Sequence, residues 1–176
     1  LRTVKEMERL LGWHGISGSC TVQREEKRVT GKADFTAEEW ETVLHGPATA
    51  GLIVITAQRG GALRETLALA QSYVEARKQH GESELLDEIV SAKPALDHTR
   101  YHSAEELKEA GLQHLRAAVE LLEQKATSAE ADAYKRFVLE LAGKVASAHR
   151  EHGTSVSEAE QAALDEIAAT LSTPSA

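Results

Sequence analysis

Apolar positions recur along this chain at spacings of three and four residues, and strict alternation is rare. That period belongs to amphipathic helices. Leu107, Gly111, Leu115, Ala118, Val119 and Leu122 define one such face. Tyr134, Phe137, Val138, Leu141, Val145 and Ala148 define another, and Ala163, Leu164, Ile167 and Leu171 a third. Residues 61–80 carry Leu63, Leu67, Ala70, Val74 and Arg77 on a single stripe, which predicts that this stripe faces the core. Leu85, Leu86, Ile89 and Val90 predict a shorter helix ended by Lys93-Pro94.

Helix starts are marked by Thr36-x-x-Glu39, Ser103-x-x-Glu106, Thr127-x-x-Glu130 and Ser157-x-x-Glu160. In such a box the hydroxyl accepts from an amide one turn in, and the glutamate accepts from the amide of the hydroxyl residue. Phe35 and Trp40 flank the first box at the spacing of a hydrophobic staple. Gly46-Pro47 predicts that this first helix stops near residue 45. The uncharged run from Pro47 to Gln58 then reads as a separate, buried central helix in preference to a strand. Glycines 60 and 61, 81 and 153 mark further stops.

Before Phe35 the pattern changes. Residues 2–11 hold Val4, Met7, Leu10 and Leu11 at helical spacing, closed by Gly12. Residues 12–34 are glycine-rich and read either as a short hairpin around Glu25-Glu26 or as an irregular arm. The expected organisation is therefore a short helix and arm over residues 1–34, followed by a bundle of about six or seven helices over residues 35–176. The fold class is all-α. An aromatic residue, a small-residue helix, a glycine turn and an amphipathic helix recur from Trp40 and again from Tyr134; a pair of related helical hairpins would produce this, and so would chance in an alanine-rich helical chain.

Composition narrows the function classes. Of 176 residues, 41% are hydrophobic and 4% aromatic, so a packed core is available to the chain. The net charge of −8 and the lack of a lysine or arginine block argue against nucleic acid and anionic membrane as partners. The longest uncharged stretch, Gly46 to Gln58, is too short to span a bilayer as a helix. Cys20 is the sole cysteine, which fits a reducing, cytoplasmic setting. A first residue of Leu1, with Met7 the only methionine, points to a processed chain or a piece of a longer one.

Two clusters carry candidate chemistry. His149 and His152 share a helix face, with Glu160 beyond the next turn, and these three are the candidate ligands for a divalent metal. The simpler role for the histidines is to complement the negative end of their helix. Asp97, His98 and His102 form the second cluster; a carboxylate bonded to an imidazole suits acid–base work, whereas loop ordering needs no chemistry at all. The nucleotide-binding, zinc-protease, EF-hand and serine-hydrolase motifs are missing from the sequence, and no cofactor is expected.

Residues 134–171, with Phe137, Leu141, Val145 and Ala148 before Val156-Ser157-x-x-Glu160, resemble the end of the tellurite-resistance TerB-like helical family and related bacterial domains. The resemblance implies an all-α fold and a stress-response or signalling association. The acidic-glycine turn of that family is here Glu151-His152-Gly153, and only Glu160 carries over. The resulting expectation is a non-catalytic bacterial domain working through a protein partner, self-association or modest ligand binding. Metal binding through His149, His152 and Glu160, and catalysis through Asp97, His98 and His102, are the rival readings.

Overall fold

The computed structural model describes residues 29–57, 62–78, 83–92, 101–148 and 156–172. Among these are six α-helices and a 3-10 turn, and no strand. The turn spans Lys32–Asp34; the helices are α1 (Ala37–Ala57), α2 (Ala62–Lys78), α3 (Glu84–Ser91), α4 (Ala104–Lys125), α5 (Ser128–Ser147) and α6 (Glu158–Ser172). The fold is the all-α bundle that the periodicity predicts. The expected helix at 2–11 and the arm as far as residue 28 lie outside the described residues.

Capping sets the helix starts. Thr36, Thr127 and Ser157 each accept from the amide three residues on, and Glu39, Glu130 and Glu160 each accept from the amide of the hydroxyl residue. The fourth box closes differently. Ser103 Oγ accepts from the Glu106 amide at 3.0 Å, but Glu106 reaches one residue further back and accepts from the His102 amide at 2.8 Å. Ser83 caps α3 by accepting from the Leu86 amide, a start without the glutamate that made the others legible. Phe35 and Trp40 meet with ring centroids 5.7 Å apart, as a staple requires.

The central element corrects the sequence reading. The two helices expected on either side of Gly46-Pro47 are one continuous helix, α1, with Pro47 inside it. A proline has no amide to donate to the carbonyl four residues back, here that of Val43. The Tyr134 hydroxyl of α5 donates to that carbonyl instead, at 2.9 Å, and is fully buried. Gly46 makes the space: a Cβ there would lie 2.0 Å from the tyrosine oxygen. One turn away, the His114 Nε2–H of α4 donates to the Thr42 carbonyl at 2.9 Å. The signals that read as a stop instead form a socket for a side chain nearly ninety positions on.

Around α1 the core closes. Val43, Ala50, Leu52, Ile53, Val54 and Ile55 are buried, and α1 packs against α2, α4, α5 and α6. Each fully buried aliphatic side chain of this kind contributes about 1.5–3 kcal/mol. α1 also packs on α6, and α5 on α2. The inward faces of α4 and α5 are as predicted, except that Ala148 at the end of α5 is half-buried; on α6, Leu164 is half-buried. No helix among the described residues is long and apolar enough to cross a membrane.

The face of α2 is a second correction. Leu67 and Val74, expected in the core, are 59% and 46% exposed, and Ala70 between them is exposed. Leu69 and Tyr73 are buried in their place. The helix carries two apolar faces, and the bulkier one wins: Tyr73 packs edge-on to Phe137 at 5.6 Å, burying far more area than Val74 would. Arg77, also expected on the inward stripe, donates through Nε to the Val90 carbonyl and through Nη2 to the Ala92 carbonyl, closing the end of α3.

Candidate functional site

A groove runs between α2 and α5. Its first part, about 370 Å³, lies where α2, α3 and α5 meet and is lined by Ala76, Leu86, Ala133, Arg136 and Phe137 among others. Its second part, about 840 Å³, lies between α2 and α5 alone, with Leu67, Ala68, Gln71, Gly143 and Ala148 on its walls. Ser72, Glu140 and Lys144 line both, so the two parts are continuous.

Local sequence explains the shape. Ala68 and Ser72 on α2 face Gly143 and Ser147 on α5, and small residues on both walls keep the floor open. The Ser72 hydroxyl is turned back to the Ala68 carbonyl at 2.9 Å, which removes it from the groove as a donor. Nothing lies within 4 Å of where a Gly143 Cβ would stand. Lys144 Nζ meets Glu75 Oε2 at 2.6 Å across the groove, and this hydrogen bond with its charge attraction holds the Glu75 carboxyl below the usual glutamate value. Both side chains are about half exposed, so the pair is a weak latch. The outward Leu67 forms part of the groove wall, and Val74 follows it seven residues on along the same helix.

One turn before Ala133 of the groove wall, α5 carries Glu130. Its Oε2 accepts from the Thr127 amide and hydroxyl at 2.9 and 2.8 Å, and its Oε1 from the Thr30 amide at 3.0 Å. Burial pushes this carboxyl up, but the bonds from Thr127 and Thr30 outweigh it and the net shift is downward. The Lys32 amide donates to Glu88 Oε2 on α3. The described chain therefore begins against α3 and α5, at Glu88, next to Asp87 in sequence, and at Glu130, one turn before Ala133.

The residues singled out from sequence have other places. Asp97, His98, His149 and His152 lie outside the described residues, as does Cys20. His102 is exposed, and its amide joins the cap of α4. Glu160 is buried as the cap of α6, its Oε2 accepting from the Ser157 amide at 2.7 Å and hydroxyl at 2.9 Å. Among the described residues no three His, Cys, Asp or Glu side chains converge as a metal set. A further cleft of about 480 Å³ lies between α1, α4 and α6, bridged by Lys108 and Glu166 at 3.0 Å.

Sequence reasoning missed the groove because its walls are small residues, which carry no periodic signal of their own. The one available signal was the second apolar face of α2, visible as Leu69, Tyr73 and Ala76 beside the stripe at Leu67 and Val74. Two apolar faces on one helix mean that one of them lacks a partner in a small bundle. Comparison of the chain with protein-family models, with curated proteins and with solved structures gave no match.

Proposed function

We propose that this chain is a non-catalytic helical domain that acts through protein contacts, by taking an amphipathic helix of a partner into the groove between α2 and α5. The observation that carries the reading is the turned-out face of α2. Single exposed apolar residues are ordinary, but Leu67 is turned out into the wall of a groove with a small-residue floor, and Val74 extends the exposed apolar surface of the same helix. That combination is the geometry of helix-in-groove recognition, where a few anchors at i, i+3, i+4 and i+7 supply most of the affinity. The resemblance of residues 134–171 to the TerB-like family adds a bacterial, cytoplasmic and stress-response setting to the same proposal.

The test uses helical peptides of roughly 14 residues, enough for two heptads, displayed on phage and selected on the full chain. Recovered binders are then titrated on Gly143→Trp. The indole fills the groove without entering the core, because the Cβ position is open. Binding is expected to weaken at least tenfold while the melting temperature holds or rises. Binders that ignore Gly143→Trp would sink the reading.

A further inference from the structure

We infer that the partner of the groove is a second copy of this chain, and that the helix it offers is α2 itself. The inference rests on the reading of the groove as a helix-docking site and goes further by naming the occupant. In this arrangement α2 of each copy lies antiparallel over the groove of the other, and a two-fold axis crosses α2 between Ala70 and Gln71.

Three observations support the assignment. The first is that one helix carries both halves of the contact. Leu67, Ala70, Gln71 and Val74 are all exposed, at positions i, i+3, i+4 and i+7 of α2. That is the anchor pattern of a helix that docks in a groove. Leu67 and Gln71 also line the groove, whereas Ala70 and Val74 lie outside its lining. α2 is thus a groove wall along one edge of this stripe and an apolar ridge along the other. A surface that both gives and receives the same residues closes on itself through an isologous contact.

The second is size. Antiparallel pairing about that axis sets Leu67 of one copy against Val74 of the other, twice over, and Ala70 against Gln71. The small Ala70 beside the axis lets the two helices approach closely. On the far wall of the groove, nothing lies within 4 Å of a Gly143 Cβ position, so α5 leaves room for the incoming helix.

The third is charge. At a net −8 per chain, two copies repel over most of their surface. The stripe carries no ionised group. Among the described side chains of α2, the exposed ions are Glu75 and Lys78, both at the C-terminal end of the stripe, and Glu75 is paired with Lys144 of its own chain. Parallel pairing would set the two Glu75 side chains side by side. Antiparallel pairing holds them about 14 Å apart along the helix axes, beyond the screening length of about 8 Å at physiological salt. A stable interface buries about 800 Å² on each partner, more than four stripe residues supply, so the dimer is weak and forms as concentration rises.

Sedimentation equilibrium of the full chain, carried to about 1 mM so that a small interface registers, is expected to fit a monomer–dimer equilibrium. Leu67→Glu and Val74→Lys should each weaken the dimer at least tenfold and leave helical circular dichroism unchanged, since both positions are exposed. The two changes combined in one chain, or the two single variants mixed, should restore dimers, because the introduced charges then meet across the axis. Gly143→Trp should weaken the wild-type dimer at least fivefold. A wild type that stays monomeric overturns the inference. So do dimers indifferent to any of the three single changes, a loss that the paired charges do not rescue, and an open series of larger oligomers. Any of these results, with phage peptides that still discriminate Gly143→Trp, removes only the second copy as occupant. Peptides indifferent to Gly143→Trp remove the groove itself.

Discussion

Tyr73 and Tyr134 are both buried, yet their hydroxyls do opposite work. The Tyr134 hydroxyl donates to the Val43 carbonyl that Pro47 leaves without an amide, and burial raises its pKa well above the ordinary 10. The Tyr73 hydroxyl has no partner among the described residues; burial raises its pKa too, against the opposing pull of Arg77. Neither phenol ionises in the folded protein at any moderate pH. Removing a satisfied hydroxyl strands its acceptor, whereas removing an unsatisfied one relieves a desolvation cost. Tyr134→Phe is therefore expected to cost about 1–3 kcal/mol, and Tyr73→Phe to be neutral or slightly stabilising, by urea denaturation. Pro47→Ala restores an amide for Val43, so the penalty of Tyr134→Phe should shrink in that background. Penalties that simply add, within about 0.5 kcal/mol, would show that the hydroxyl is not the carbonyl's replacement donor.

Single elements show how far the sequence could be read. Capping boxes gave the starts of α1, α4, α5 and α6, because each is a local bond between residues three apart. The faces of α4 and α5 followed from spacing, because each of those helices has one apolar stripe. α2 has two, and spacing cannot rank them; the volume of Tyr73 does. Pro47 was misread for a similar reason: its local effect is to break a helix, and the repair comes from α5. The box at Glu130 has a measurable consequence. Its carboxyl is held below the ordinary 4.5 by amides of Thr127 and Thr30, so the unfolded chain takes up the proton first. The stabilisation is complete above the ordinary value and is lost as pH falls from there through the folded value. Urea midpoints of the wild type should therefore drop as acid is added below pH 4.5, and those of Glu130→Gln should drop less steeply. Glu39 and Glu75, each lowered by a lysine partner, leave a residual slope in both proteins. Parallel curves would remove Glu130 from the acid response.

At the scale of the molecule, one helix joins the parts, and Pro47 decides whether it does so as a unit. Trp40 lies before the proline and Ile53 after it; both are buried in the same apolar core. The candidate groove was not legible in the sequence because it exists only where α2 and α5 meet, and both are aligned by packing with α1. If the Tyr134 bond makes α1 continuous, a cavity at Ile53 must be felt at Trp40. If α1 were two independent helices, the Trp40 end, stapled by Phe35 and tied by Glu39 to Lys125, would keep its own stability. Ile53→Ala is expected to cost about 2–5 kcal/mol. The measurement is made in a Trp13→Phe background, so that fluorescence reports Trp40 alone. Helical circular dichroism and Trp40 fluorescence should give the same urea midpoint, and Ile53→Ala should lower both equally. A fluorescence midpoint that stays in place while the helical signal falls would divide α1 at Pro47 and leave α2 and α5 without a common rigid support.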